Sequence, residues 1–481
     1  MPAEYPAGVA SLCDGSAVAL AVLLRTGAVS ATEVLEAHLA RIDAVDPLLN
    51  AMVTRVDDEA RPAARAADDA FVRGGPTGPL HGLPVAHKDL ALTAGIRTTF
   101  GSPIFANFVP DTDALIVARM RAAGAITIGK TNTPEFGAGS QTFNTVFGVT
   151  RNPYDLGRTC GGSSGGAAVA LRTGMVALAD GSDMGGSLRN PASFCNVVGF
   201  RPSPGRVPQH PARWGWGSLA VEGPMGRCVD DVALLLSVLA GPDPRAALSL
   251  ETPGSFFGPP LRPADPAGLR VAVSPDLGGL PVEAPVRSVV LDAARRLEAA
   301  GASVTVDDPG WEGADDAFEV LRAFQFELGF GALEETDGYR MKATVRDNIA
   351  AGRALRGVDV ARAERLRTEV YARIGAFFER YDVLVAPVSQ VVPFPVDVEY
   401  PTVVDGVGMD GYIEWMRSCS RVTVTSCPAA SVPVGFDPSG LPIGVQVVGP
   451  HRRDRHTLRV AALLESLCDA GQQQPGCVPA G

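Results

Sequence analysis

The sequence lacks the features that mark nucleic-acid-binding and membrane proteins. Its 481 residues carry 42 Lys and Arg against 53 Asp and Glu, a net charge of −11, so no basic surface is expected to follow a phosphate backbone. The longest apolar runs, AVALAVLL and VALLLSVLA, are far shorter than the ~20 residues of a membrane-spanning helix. No basic segment followed by an apolar stretch opens the sequence. We therefore expect a soluble, cytoplasmic protein that binds neither nucleic acid nor membrane.

The cysteine and histidine patterns do not indicate a metal site. The eight cysteines include no Cys-x-x-Cys pair, which argues against a zinc ribbon and a thioredoxin-like centre. Most of them stand beside small or apolar residues, which predicts reduced and mostly buried thiols. Of the six histidines, His451 and His456 lie among arginines in PHRRDRHTLR, which predicts an exposed helix start.

The composition and the order of segments indicate an α/β enzyme. With 46% hydrophobic and 20% charged residues, the chain suits a globular protein with a large core. Short apolar strand patterns alternate with helical ones, which favours a central sheet with helices on both faces. Predicted segments in the first half are strand LPVAHKD, helix 112–123, strand GAITIGK, helix 166–173 and strand 175–179.

Domain boundaries are weakly marked. The segment 1–75 is predicted to be helical and to pack on the core, with a capping box from Ser30 to Glu33. Residues 240–268 are rich in Pro and Gly and fit either a linker or, as we favour, a surface excursion of one domain. We predict a main domain at 76–471, with its motifs at 80–240, a variable region at 241–380 and closing strands and a helix at 381–471. A flexible tail is predicted at 472–481.

Residues 161–166 read Gly-Gly-Ser-Ser-Gly-Gly, a pattern with three interpretations. A linker is disfavoured because the cluster leads straight into a helix. Gly161–Gly165 also satisfies the G-x-S-x-G nucleophile elbow, but no strand precedes it and no histidine is well placed downstream. A phosphate loop is matched better by Gly124–Thr131, GAITIGKT. Its isoleucines favour a strand, and Pro134 follows where a helix should run, so we interpret that match as coincidence.

A second serine lies 24 residues beyond the first. Ser187 follows Gly185 and Gly186, and the intervening helix and strand have lengths that roughly cancel, so the loops of Ser163 and Ser187 can meet at one end of the sheet. A serine nucleophile needs a base, and Lys88, at the end of an apolar strand, is a candidate if burial keeps it neutral. From spacing alone, Lys88 pairing with a neighbouring aspartate or reaching solvent remains the simpler interpretation.

Several segments, in order, resemble the amidase signature family. They are GLPVAHKDL (82–90), GAITIGKTNTPEFG (124–137), GVTRNPYDLGRTCGGSSGGAAVA (148–170), GSDMGGSLRNPASFCNVVGFRPSPGRVP (181–208), GPMGRCVDDVALLL (223–236) and CPAASVPVGFDPSGLPIGVQVVGP (427–450). The resemblance is good over residues 80–240 and the last 60, and the spacings Lys88–Ser163 and Ser163–Ser187 agree with the family. It implies a single large domain around a twisted, mixed sheet, with helices on both faces.

The resemblance also implies a site. Ser187 matches the acylating nucleophile, Ser163 the relay serine that follows a cis peptide bond, and Lys88 the base. The N–H groups of Met184, Gly185, Gly186 and Ser187 match the oxyanion hole, and Phe136, Gly137 and Ala138 match a segment near the acyl pocket. Asp183 and Arg189 flank the nucleophile as supporting residues or a plain ion pair. The implied chemistry uses no cofactor and no metal.

The substrate is indicated only in outline. Trp214 and Trp216 lie in one Gly/Pro-rich loop, which suggests an aromatic pocket wall or, equally, core packing. We expect hydrolysis of an apolar or aryl amide, anilide or carbamate (urethane) by a monomer or homodimer that needs no partner. The alternative within the family is the glutamine-hydrolysing subunit of a tRNA amidotransferase. The alternatives outside it are a P-loop NTPase and a histidine-dependent α/β-hydrolase.

Overall fold

A computed structural model describes residues 9–478 of the chain. Within this range lie fourteen α-helices, of which the longest are α10 and α12. Their bounds are α1 Val9–Asp14, α2 Ala17–Thr26, α3 Ala31–Leu49, α4 Asp57–Gly74, α5 Leu115–Ala122, α6 Gly165–Arg172, α7 Arg189–Phe194, α8 Val229–Leu239, α9 Ala284–Ala299, α10 Ala314–Asp337, α11 Ala343–Arg353, α12 Gly357–Arg380, α13 Arg417–Val424 and α14 Asp454–Ser466.

Eleven of the fifteen strands form one mixed sheet. Their order is β1-β3-β2-β6-β8-β7-β14-β15-β11-β9-β10; β2 pairs in parallel with β3 and β6, and β9 with β10 and β11. The six other adjacent pairs are antiparallel. The strands are β1 Met52–Arg55, β2 Pro84–Lys88, β3 Ile126–Thr131, β4 Phe143–Asn144, β5 Gly148–Val149, β6 Leu178–Asp183, β7 Val198–Arg201, β8 Val221–Gly226, β9 Arg270–Val273, β10 Ser303–Val306, β11 Val383–Pro387, β12 Val403–Val404, β13 Val407–Gly408, β14 Ala429–Phe436 and β15 Pro442–Val448.

Both faces of this sheet are covered. Successive strand residues point to opposite faces, and in β11 Val383 and Val385 join one apolar cluster whereas Leu384 and Ala386 join another. The first cluster includes residues of α9 and α14, and the second includes residues of α10 and α12. The predicted single α/β domain with helices on both faces of a mixed sheet is therefore confirmed.

Most predicted elements are present, with shifted bounds. The capping box at Ser30 and Glu33 opens α3, as predicted. The bounds of the strand predicted at 175–179 are wrong, since β6 begins three residues later, at Leu178, and ends four residues later, at Asp183. The cause is β8, a partner not anticipated from the sequence, which pairs with β6 through Asp183. Strands β1, β7 and β8 and helices α10 and α11 were not predicted.

The Pro/Gly-rich segment 240–268 packs on the main domain. Phe257 is buried, and Leu261 and Ala264 belong to the main apolar cluster. These contacts agree with a surface excursion better than with a linker.

The ends of the chain are described in part. The predicted tail is described as far as Val478, and in it Cys477 Sγ contacts the carbonyl of Pro153; residues 479–481 lie outside the described range, as do residues 1–8 of the predicted N-terminal segment. No helix within 9–478 is both long and apolar enough to cross a bilayer.

Candidate active site

Lys88 ends the buried strand β2, and its amino group is enclosed by hydroxyls. The side chain is 1% exposed, and Nζ lies 2.7 Å from Ser163 Oγ, 2.9 Å from Ser164 Oγ and 3.0 Å from Ser182 Oγ. No carboxylate lies within ion-pair distance of Nζ among the described residues. Burial therefore dominates, and it lowers the pKa of Lys88 from 10.5 to about 7, although Asp183, Asp180 and Glu222 oppose this shift.

Ser163 lies in the turn that leads into α6. The peptide bond between Gly162 and Ser163 is cis, as the resemblance implies. Gly161 has φ +74°, and a Cβ there would lie 2.5 Å from Asn190 Oδ1, so only glycine fits. Asn190 in turn accepts the N–H of Gly162 at 3.1 Å. The first glycines of the cluster thus let the chain turn against α7 and place the Ser163 hydroxyl beside Lys88.

Ser187 lies between β6 and α7, in a turn held by a buried ion pair. Asp183 accepts the N–H groups of Gly186 and Leu188 at 3.0 and 3.1 Å. Arg189 and Arg201, both fully buried, contact the same carboxylate at 3.0 and 3.2 Å. Burial alone would raise the pKa of Asp183, but the two guanidinium groups hold it well below its usual range. The carboxylate is therefore charged and fixes the turn that carries Ser187.

The two serine turns meet in one cavity of about 130 Å³. Ser163 and Ser187 both line it, and the N–H of Ser164 donates to the carbonyl of Ser187 at 3.3 Å. Ser187 is 9% exposed and its hydroxyl has no protein partner among the described residues. The predicted meeting of the two loops is thus present in the structure.

The N–H groups expected to form the oxyanion hole are not equivalent. Within residues 9–478, those of Met184, Gly185 and Ser187 have no acceptor. That of Gly186 already donates to Asp183. The geometry therefore leaves three donors of the expected four available for a ligand oxygen.

A second cavity of about 300 Å³ adjoins the first and shares Phe136, Met184, Ala220 and Phe326 with it. Trp214 lines this second cavity, whereas Trp216 is 72% exposed and lines neither. Gly137 lines the serine cavity, while Ala138 is buried and lines a different, smaller one. The second cavity is otherwise lined by a mixture of polar, small and apolar residues; they include Gln209, Arg213, Glu222, Gln325, Leu328 and Phe330.

Several site residues were missed from the sequence. Ser164 and Ser182 contact Lys88, and Asp180 accepts the Lys88 backbone N–H at 3.0 Å. Glu222 on β8 lies opposite Ser182 on the neighbouring strand β6, and burial raises the pKa of Glu222 to about 8. One sequence signal was overlooked: the chain has only three lysines, Lys88, Lys130 and Lys342, so few amines are available as a base.

The phosphate-loop-like motif and the two downstream histidines, which the sequence offered as alternative site residues, have structural roles. Lys130 lies on strand β3, where Nζ contacts Thr93 Oγ1 at 2.7 Å and the carbonyl of Ala91, so GAITIGKT forms a strand and not a phosphate loop. His451 and His456 contact backbone carbonyls, and neither lines the serine cavity. Within the described residues, no cluster of three or more His, Cys, Asp or Glu side chains is arranged to hold a metal ion.

Comparison with known proteins agrees with this geometry. The family model described as Amidase matches residues 33–458. An acylamidase of Rhodococcus erythropolis is 35% identical over 96% of this chain and 97% of the relative. A glutamyl-tRNA(Gln) amidotransferase subunit of Acidothermus cellulolyticus is 36% identical over 95% of each.

A solved structure points the same way. The crystal structure of a bacterial aryl acylamidase of the amidase signature family superposes with a TM-score of 0.89, at 30% identity, covering 96% of this chain and 97% of the other. With the family match over most of the chain, these likenesses show that the protein belongs to the amidase signature family and is a hydrolase of linear amides.

Proposed function

We propose that the protein hydrolyses amides through an acyl-enzyme, with Ser187 as nucleophile, Ser163 as proton relay and Lys88 as base. The observation that carries this proposal is the buried Lys88 amine, which lies 2.7 Å from Ser163 Oγ, while Ser163 and Ser187 line one cavity. A lysine with a pKa of about 7 is largely available as a neutral base just above neutral pH. Such a base is what a serine hydroxyl needs in order to attack a carbonyl.

The proton and electron movements balance without any further group. Ser187 Oγ bonds to the amide carbon, its proton passes to Ser163, and the Ser163 proton passes to Lys88 Nζ. When the tetrahedral adduct collapses, the C–N bond breaks, and the Lys88 proton returns through Ser163 to the leaving nitrogen. Water then attacks the ester carbon of acylated Ser187 by the same relay, releasing the acid and restoring the three side chains.

Hydrogen-bond donors must stabilise the negative charge that develops on the carbonyl oxygen. We propose that the N–H groups of Met184, Gly185 and Ser187 supply them, because each lacks an acceptor among the described residues. One such donor is worth roughly 3 kcal/mol at the transition state. The bond from Gly186 to Asp183 then positions the donors on either side.

We propose a small apolar or aryl amide or anilide as substrate. The support is the second cavity, which adjoins the serine cavity and has Phe136, Trp214, Phe326 and Phe330 among its lining residues. Relatives named acylamidase and aryl acylamidase agree with this choice. Carbamates and esters present the same carbonyl to the donors, so a urethanase activity belongs to the same proposal. The chain is proposed to act as a monomer or homodimer without nucleic acid or membrane.

The alternative function is that of a glutamine-hydrolysing subunit, since tRNA amidotransferase subunits are about as similar to this chain as the acylamidase is. One assay distinguishes the two functions. The purified chain would be tested on p-nitroacetanilide, a fatty amide, an aryl carbamate and glutamine, with Ser187→Ala as the matched control. Aryl-amide turnover that Ser187→Ala abolishes supports the proposal. Glutaminase activity higher than the aryl-amide activity would favour the glutamine-hydrolysing subunit.

A further inference from the structure

Arg322 is a buried cation in the wall of the serine cavity. It lies on α10, is 4% exposed, and lines the same cavity as Ser163 and Ser187. Nη1 donates to Asn348 Oδ1 at 3.1 Å and Nη2 donates to the Tyr412 hydroxyl. Burial lowers the pKa of the guanidinium, and the Tyr412 hydroxyl opposes this shift.

Arg322 has no carboxylate partner among the described residues. Three other buried arginines do have one: Arg189 and Arg201 contact Asp183, and Arg206 contacts Asp454 at 3.1 Å. The buried Arg172 instead donates to two backbone carbonyls. A buried charge without a counter-charge is costly. Because Arg322 lines the same cavity as Ser187, the substrate is the natural source of an anion for it.

The guanidinium is held in a fixed orientation with donors to spare. Its carbon lies 4.1 Å from the centre of the Phe326 ring and 5.4 Å from that of Tyr412. An arginine offers five N–H groups, and the contacts to Asn348 and Tyr412 use two of them. The remaining donors match the planar, two-oxygen geometry of a carboxylate.

We propose that Arg322 binds a carboxylate carried by the amide substrate, on its acyl or its amine side. This inference rests on the proposed function and narrows the substrate class to amides with an apolar or aryl body and one anionic end. The aromatic walls would bind the body, and Arg322 would fix the anionic end, so that the scissile carbonyl is oriented toward Ser187.

Two matched substrate pairs test the proposal at constant ionic strength. On the acyl side they are glutaric acid mono-p-nitroanilide and its methyl ester. On the amine side they are 4-acetamidobenzoate and its methyl ester. We expect kcat/KM to favour the carboxylate about 10- to 100-fold in one pair, as a charge-assisted hydrogen-bonded pair would.

Variants of Arg322 test whether its guanidinium group causes the preference for the carboxylate substrate. Arg322→Met is expected to bring the carboxylate-to-ester ratio close to one, and Arg322→Lys to keep part of it. Arg362→Met, which removes an exposed arginine paired with Asp316 on the surface, is the matched control and should keep the wild-type ratio. No preference in the wild type for either carboxylate, or a preference that survives in Arg322→Met, overturns the inference.

A binding measurement separates this inference from the proposed function. In calorimetry, benzoate is expected to bind the wild-type protein at least about tenfold more tightly than benzyl alcohol does, and Arg322→Lys should reduce the difference. Equal affinities would overturn the assignment of Arg322 even if all four amides are turned over. Conversely, failure to hydrolyse any amide contradicts the proposed function, while the calorimetric result still decides the role of Arg322.

Discussion

Replacing Lys88 by methionine is expected to change how the stability of the protein depends on pH. The pKa of Lys88 is about 7 in the folded protein against 10.5 when solvated. Below about pH 7 the lysine is charged in both states, and the full cost of burying the charge opposes folding. As pH rises from about 7 to 10.5, the folded protein releases this proton first, so the cost falls and wild-type stability rises.

The magnitude follows from the two pKa values. At about 1.36 kcal/mol per pH unit, the fall from 10.5 to about 7 corresponds to about 5 kcal/mol at low pH. Linkage predicts that this cost drops by about 2–3 kcal/mol between about pH 6 and pH 9. Methionine removes the cost but also the contacts to three hydroxyls, each worth about 1 kcal/mol. Lys88→Met should therefore be about 2 kcal/mol more stable near pH 6 and lose that advantage near pH 9.

Urea unfolding of both proteins at several pH values measures this difference. Ser164→Ala is the matched control, because it removes one contact to Nζ but keeps the lysine, and its stability should follow pH as the wild type does. A difference between wild type and Lys88→Met that stays constant with pH would refute the reasoning. It would mean that Lys88 remains charged in the folded protein and is not a neutral base.

Three further outcomes are expected. Gly186→Ala should lower kcat/KM at least about 100-fold, because its Cβ would lie 2.6 Å from that of Cys419 and its φ is +113°; near-normal kinetics would contradict the role of this turn. Asp183→Asn should lower the free energy of unfolding by about 3–5 kcal/mol, since it leaves the buried Arg189 and Arg201 without a counter-charge; urea unfolding measures this, and a change under about 1 kcal/mol would count against the ion-pair argument. EDTA should leave turnover unchanged, and a loss restored by added metal would contradict the serine mechanism.

The fold was predictable where local patterns are strong. The capping box of α3 and the strand β2 appear where the sequence places them, because side-chain capping and apolar runs act over a few residues. The bounds of β6 were not predictable, because Gly181–Asp183 become strand only by pairing with β8, about forty residues later. Long-range pairing of this kind leaves little trace in the local pattern.

Part of the candidate site was also predictable from the sequence, and part was not. The two serine turns carry local glycine patterns, and helix and strand lengths alone indicated that they could meet. Assigning Lys88 as base required the family resemblance, since spacing alone favoured a lysine that pairs with an aspartate or reaches solvent. Arg322 gave no local signal at all: its partner Tyr412 is 90 residues away, and its lack of a carboxylate is visible only once the chain is folded.

The most direct test of the Lys88–Ser163–Ser187 relay is to locate the acyl group. The enzyme would be mixed with p-nitrophenyl acetate, quenched rapidly and mapped by peptide mass spectrometry. The wild type should carry acetyl on Ser187; Ser163→Ala should acylate the same residue several orders of magnitude more slowly. Ser187→Ala should carry no acyl group. Acetyl found on Ser163, or acylation that survives in Ser187→Ala, would contradict the assignment of nucleophile and relay.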